Sequence, residues 1–347
     1  MVILAHPASV PGACYATAAA AQNAGLPHPG DPAQNARMST TSPSKPGGVR
    51  RQPTVALALG AGGAKGLAHI GAIEELEAQG YRITAIAGSS MGALIGGVHA
   101  MGKLDVYRDW VSALAKLDVL RLVDWTFSGG GLIKGEKIIG TLRGLIGDTL
   151  IEELPLAFTA VATDLDRGRE VWLGRGNLFE AIRASIAVPT VFRPHHLNGH
   201  RMVDGALLNP VPVTPLIGVE ADYLFAVSVD GPVEAAVAPV EESATGQDPG
   251  YRHRIGEFIS RLMPRSEEPP REPGTFDTLN QAMDLMQANL ARLRLAAYEP
   301  DLLITLPRNI ASVYEFYRAR ELIERGRLRT RKALAEWPRT GTPLRAT

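Results

Sequence analysis

The chain has one cysteine, Cys14, in 347 residues, so it cannot carry an internal disulfide framework, and that usage fits a reducing, cytoplasmic setting. It has no charge of one sign in excess, with 36 Lys and Arg against 36 Asp and Glu. This removes any global bias towards nucleic acid, and none is expected as a partner. No apolar run is long enough to span a bilayer. There is no His/Cys/Asp cluster at zinc spacing and no calcium loop of the EF-hand type. The expectation is therefore no metal and no cofactor. What is present is a globular composition, 45% hydrophobic, in a length suited to one large α/β domain or two small ones.

The most informative stretch runs from Val55 to Val98. Val55, Leu57 and Leu59, with small alanines between them, predict a buried strand. Leu67, Ile70, Ile73 and Leu76 follow at helical spacing. A second apolar run, Ile83 to Ala87, leads straight into Gly88-Ser89-Ser90-Met91-Gly92, and small residues then continue as a helix. This is G-x-S-x-G at a strand-to-helix junction, the setting in which the motif means a nucleophile elbow. Gly88 and Gly92 give the sharp turn room, and Ser90 sits at a helix N-terminus that favours a developing alkoxide. The plainer reading is a tight turn with the serine as N-cap.

Between the first strand and its helix lies Gly60-Ala61-Gly62-Gly63-Ala64-Lys65-Gly66. Lys65 stands where a dinucleotide fingerprint has its third glycine, and Gly66 stands where a P-loop has Ser or Thr. The loop suits acyl transfer better, with the amides of Gly62 and Gly63 as an oxyanion hole. A base is then required. His195, His196 and His200 sit just before Asp204-Gly205-Ala206 and are candidates, as is Asp204 acting directly. His69 and His99 fall within helices and read as structural, His6 and His28 lie in a leader, and His253 lies in a polar insertion. Ser185 is a second possible nucleophile, but it lacks an elbow and reads as a packing or capping residue.

Taken together, the glycine loop, the Gly88–Gly92 elbow and the Asp204-Gly205-Ala206 turn resemble the patatin-like phospholipase family, in its bacterial form. The blocks Arg183 to Phe192 and Thr163-Asp164-Leu165 are similar to further segments of that family. The resemblance implies a three-layer α/β/α hydrolase fold with a mainly parallel sheet. It implies a Ser–Asp dyad with Ser90 as nucleophile and Asp204 as base, Gly62 and Gly63 holding the oxyanion, and Gly60 and Gly66 shaping the loop. Ala61 stands where many members have glycine, and Lys65 where most have arginine, which keeps the charge but loses bidentate hydrogen bonding. The implied activity is hydrolysis of lipid carboxylic esters, of the phospholipase A or lysophospholipase type. Acyl transfer or short-chain esterase action on the same dyad, and a non-catalytic scaffold, are the alternatives.

The rest of the chain is organised around that core, expected at residues 51–230. Residues 1–50 read as a disordered leader too weakly apolar for a secretory signal, with Met38 as an alternative start. Val106, Trp110, Leu114 and Leu117 predict one helical face, and Ile138, Ile139, Leu142, Leu145 and Ile146 another, with Phe127 to Leu132 as a loop between them. Leu156 to Ala162, Arg169 to Leu173 and Tyr223 to Val229 read as buried strands. Residues 231–274 read as a low-order insertion or lid. In it Ile255, Phe258, Ile259 and Leu262 form a short amphipathic stretch that either docks on its own domain or touches a membrane peripherally. Residues 275–340 are expected to complete the same domain, with a helix striped by Met286, Leu290, Leu293 and Ala297, a strand at Leu302 to Leu306 and a last helix ending rich in arginine. Headgroup, chain length and oligomeric state leave no mark in the sequence.

Overall fold

A computed structural model describes residues 51–122, 134–235 and 275–338. The expected leader, the 127–132 loop and the 255–262 amphipathic stretch lie outside these described residues. The strands are β1 (Thr54–Leu59), β2 (Arg82–Ser89), β3 (Ala157–Asp164), β4 (Arg169–Leu173), β5 (His195–Leu197), β6 (His200–Asp204), β7 (Tyr223–Gly231) and β8 (Leu302–Pro307). The helices are α1 (Ala68–Ala78), α2 (Met91–Ala100), α3 (Leu104–Ala113), α4 (Lys116–Leu122), α5 (Glu136–Ile146), α6 (Leu178–Ser185), α7 (Thr275–Ala297) and α8 (Ala319–Glu336).

All eight strands join one sheet, in the order β5-β6-β3-β2-β1-β7-β8, with β4 paired to β3 off this path. From β3 through β8 the neighbours are parallel, while β4, β5 and β6 are joined antiparallel. The result is a three-layer α/β fold with a mostly parallel sheet and helices on both faces. The alternation in β1 explains how the layers are filled. Val55, Leu57 and Leu59 face the large core with α1, α2, α6 and α8, whereas Ala56 and Ala58 face the other side beside Ala85 and Ala87 of β2. A strand buried on both faces needs apolar residues at every position, and here one face carries large ones and the other small ones.

The small-residue face decides how α7 packs. Ala288 and Ala291 are its buried positions, and Ala291 and Leu295 join the alanine-lined cluster. There they meet Val211, Val213 and Leu216, which follow the Asp204 turn and lie over the same alanines. The stripe read from the sequence therefore points the other way: Met286 and Leu293 are each 69% exposed. Two other expectations are corrected. In α3 the fully buried residues are Leu104, Tyr107 and Val111, while Val106, Trp110 and Leu114 of the expected face pack half-buried against the core and Leu117 is exposed, because the helix gives way at Leu114, which turns extended and breaks the period. β4 is half-exposed with Trp172 on the surface, because it is an antiparallel hairpin partner of β3 and not an inner strand.

Candidate active site

Two parallel neighbours end side by side, and each end carries a motif. β1 runs into the glycine loop, and β2 runs into the elbow. The crevice at the carboxyl ends of parallel strands is where open α/β sheets place their ligand sites. β3 then acts as a ruler, since its Val161 pairs with Ser89 and its Ala162 pairs with Asp204. One rung separates the strand end that carries Ser90 from the strand end that carries Asp204.

Ser90 has φ 55° and ψ −123°, in the left-handed region that L residues avoid. The strain is that of a nucleophile elbow, of order 1–3 kcal/mol. Its neighbours show why the flanking residues are glycines. A Cβ on Gly92 would lie 2.1 Å from the Leu59 carbonyl, and one on Gly88 would lie 2.4 Å from the backbone of Gly92 and Ala93. Ser90 opens α2, yet its side chain makes no capping hydrogen bond there, so the N-cap reading is set aside. The hydroxyl is left for other partners.

The glycine loop folds as a short 3-10 turn, Gly63–Leu67, leading into α1. The amides of Gly60, Ala61 and Ala64 are taken by the carbonyls of Val227, Pro210 and Val313. Among the described residues those of Gly62 and Gly63 have no such partner. Gly63 has φ 54°, a conformation natural for glycine. Gly66 lies against Met91, where a Cβ would come within 2.5 Å of the side chain, so the loop sits on the first turn of α2. Lys65 is buried, and its ammonium pairs with Asp230 at the end of β7. A single strong pair replaces the fork an arginine would offer. His69 is buried and donates from Nε2 to the Gly60 carbonyl at 2.7 Å. Desolvation holds its pKa down to about 4, so it is a neutral brace for the loop, as expected of a structural histidine. His99 is held down to about 4 for the same reason.

Asp204 ends β6 and caps the turn Gly205–Leu207, with its Oδ1 accepting the Ala206 amide at 2.8 Å. Its backbone is tied on both sides. The Asp204 amide donates to the Ala187 carbonyl at 3.0 Å, and the Thr163 hydroxyl donates to the Asp204 carbonyl at 3.1 Å. Gly205 is required by close approach, since a Cβ there would lie 2.1 Å from the Val161 carbonyl and 2.7 Å from the Ser89 hydroxyl. Asp204 is 2% exposed. Burial pushes its pKa up to about 7, while the Ser90 hydroxyl and the Ala206 amide, both close enough to favour the anion, pull it back. Ser90 makes no hydrogen bond of normal geometry with it, however, and Asp204 Oδ2 is buried without a partner. A carboxylate of that kind can accept a proton from a nearby hydroxyl far more readily than one in water.

The alternative bases lie elsewhere. His195 Nε2 is 2.9 Å from Glu180, His200 Nδ1 is 3.8 Å from Asp164, and His196 is exposed on the β5–β6 hairpin. His6, His28 and His253 are outside the described residues. Ser185, wholly buried, has its hydroxyl engaged with backbone and so is placed as a packing residue, though one in contact with the elbow itself. Asp164, Asp166 and His200 bring three ligand-type atoms within 4.8 Å of one another. Arg201 and Arg167 neutralise this group: Arg201 pairs with Asp166 at 2.7 Å and Arg167 approaches Asp164 at 3.7 Å. A hollow of about 580 Å³ lined by Arg51, Thr54, Arg82 and Asp222 lies at the opposite, N-terminal ends of β1 and β2, away from this chemistry. Asp230 is the contributor that sequence reasoning did not name; Ser185, Thr163 and Ala187 lay in stretches it quoted, without these roles.

A family described as patatin-like phospholipase matches residues 57–217, a span that runs from β1 past the Asp204 turn. An uncharacterized NTE family protein of Mycobacterium tuberculosis is 39% identical over 332 residues, covering 81% of this chain and 91% of its own length. A lysophospholipase of Emericella nidulans is 27% identical over 183 residues, which are 50% of this chain and 12% of that protein. Among solved structures, VipD from Legionella pneumophila aligns with a TM-score of 0.42 at 14% identity, over 82% of this chain and 67% of its own.

Proposed function

The chain belongs to the patatin-like phospholipase family, a family of lipid hydrolases, and from that premise we propose that it cleaves carboxylic esters of phospholipids or lysophospholipids through Ser90 and Asp204. The observation that carries this is a strained, uncapped Ser90 close to a buried Asp204 whose Oδ2 has no hydrogen-bond partner. Ser90 Oγ attacks the ester carbonyl carbon while its proton passes to Asp204. The oxyanion that forms is held by the amides of Gly62 and Gly63, each donor being worth about 3 to 4 kcal/mol of barrier. Collapse of the intermediate expels the lysophospholipid or glycerophosphodiester alkoxide, which takes the proton from Asp204 and leaves an acyl-Ser90 ester. Water then attacks the acyl group, gives its proton to Asp204, and releases the fatty acid as Ser90 recovers its hydrogen. The raised pKa of Asp204 makes the two transfers to it, from Ser90 and from water, less uphill.

No helix among the described residues is long and apolar enough to cross a membrane. The stretch from Ile255 to Leu262 expected to touch a membrane lies outside the described residues, and a second candidate for such contact, as part of the same proposal, is α7. This helix touches the turn after Asp204 and turns Leu279, Met286 and Leu293 outward. The test is incubation of the full chain with defined lysophospholipids and phospholipids, as detergent-dispersed monomers and as vesicles, with products identified by mass spectrometry. Free fatty acid is expected from wild type and none from Ser90→Ala, with Met286→Asp/Leu293→Asp slowing vesicle turnover about tenfold and monomer turnover little. Acyl groups appearing on an acceptor other than water would mean a transferase, and no acyl release from any ester by the folded protein would leave the scaffold reading standing.

A further inference from the structure

Ser185 lies 95 residues from Ser90 in the chain, yet its Oγ accepts the Ser90 amide at 3.0 Å. The same hydroxyl donates to the Val161 carbonyl of β3 at 2.6 Å. Ser185 has no exposed surface, so no water can take its place. A serine hydroxyl has one proton to give and two lone pairs. With that proton committed to Val161, a lone pair is fixed on the Ser90 amide, and the hydroxyl has one orientation. The bond falls where it is most needed. The β2 ladder has ended at Ser89, and the peptide beyond it must hold the left-handed conformation of Ser90. Two residues after Ser185, the Ala187 carbonyl accepts the Asp204 amide at 3.0 Å.

We propose that Ser185 is a positioning residue for the dyad, and that Ser185–Ala187 works as a clamp, one end hydrogen-bonded to the Ser90 peptide and the other to the Asp204 peptide. The clamp gives α6 a task beyond packing, because the end of that helix sets the separation between nucleophile and base. Val161 is its anchor on the sheet. The carbonyl that takes the Ser185 proton is also the atom against which Gly205 is pressed, so elbow, clamp and Asp204 turn meet at one peptide of β3. The catalytic consequence rests on the reading of Ser90 as nucleophile. Misplacing a reacting group by about 1 Å can cost on the order of 100-fold in rate.

The experiment compares wild type with Ser185→Ala, Ser185→Cys and Thr54→Val. The last removes a hydroxyl bonded to Asp222 at the far end of β1 and serves as a control for stability alone. Each is assayed for kcat and KM on a soluble ester, for the rate of fluorophosphonate labelling at Ser90, and for amide hydrogen exchange in the 86–92 peptide. Ser185→Ala is expected to lower kcat and labelling about 10- to 100-fold with KM within about twofold, and to speed exchange at the elbow. Ser185→Cys, which keeps a weak donor and acceptor, should fall between it and wild type, while Thr54→Val keeps kcat at an equal loss of Tm. If Ser185→Ala loses no more kcat than Thr54→Val, the positioning role is overturned. A wild type that does not label at Ser90 refutes the nucleophile reading and not the clamp, which the exchange data then decide: elbow exchange unchanged in Ser185→Ala refutes it.

Discussion

The two halves of the dyad are held by different means. On the Ser90 side the chain is shaped by missing side chains: Gly88, Gly92 and Gly66 each stand where a Cβ would strike a neighbour within about 2.5 Å. On the Asp204 side one glycine, Gly205, is pressed against the Val161 carbonyl in the same way, but the backbone is tied mainly by hydrogen bonds, from the Thr163 hydroxyl to the Asp204 carbonyl and from the Asp204 amide to the Ala187 carbonyl. The first half is confined mainly by exclusion, with the Ser185 hydroxyl as its one side-chain bond, on the Ser90 amide. The second is a set of bonds that can be lost singly, so it is the half whose geometry can be tuned.

The comparison is broken most severely at Gly92. Gly92→Ala forces backbone against backbone at Leu59, where no rotamer can give way, and should cost about 3 kcal/mol or more. Gly102 has φ 67° and open space around its Cβ position, so Gly102→Ala should cost only the about 1–2 kcal/mol of a left-handed L residue. Urea melts of the two variants check the difference. Equal costs would mean that the elbow is not close-packed.

An effect of similar size, and of opposite sign, is expected at Asp204. Its folded pKa of about 7 is raised above the unfolded value. The folded state therefore keeps a proton that the unfolded state gives up between about pH 4 and 7, and ionisation of Asp204 lowers stability as pH rises through that window. Asp204→Asn removes the cost. The variant should match wild type below about pH 4 and become the more stable one by pH 7, by up to about 4 kcal/mol. Melts at a series of pH values measure the gap, and a gap that does not change with pH would mean that Asp204 is solvated. Differences are needed because buried His69 and His99, with depressed pKa values, act in the reverse direction between about pH 4 and 6.5.

The same contrast accounts for what could be read from the sequence. Val55, Leu57 and Leu59, the glycine loop and Gly88 to Gly92 are local patterns, because each glycine marks a nearby backbone contact and each apolar alternation marks a strand face. The core layers and the position of Ser90 followed from them. The Lys65–Asp230 pair spans 165 residues and the Ser185–Ser90 bond 95, and nothing in the local sequence names such partners. The side of α7 that is buried was misread for a related reason. Helical spacing shows that a stripe exists, but tertiary packing chooses the buried face, here Ala288 and Ala291, the latter in one cluster with the alanines of β1 and β2. β4 looked like an inner strand because a hairpin partner and a buried strand share the same apolar run.

The most direct measurement of the central claim is the rate of fluorophosphonate labelling at Ser90 as a function of pH, in wild type, Asp204→Asn and His200→Ala. If buried Asp204 is the base, labelling of wild type rises with pH, bends near pH 7 as the carboxyl ionises, and is flat above it. His200→Ala should keep that profile to within about twofold, and Asp204→Asn should lose the bend and label about 100-fold more slowly or worse. Labelling of Asp204→Asn at the wild-type rate, or a bend that disappears in His200→Ala, would contradict the dyad.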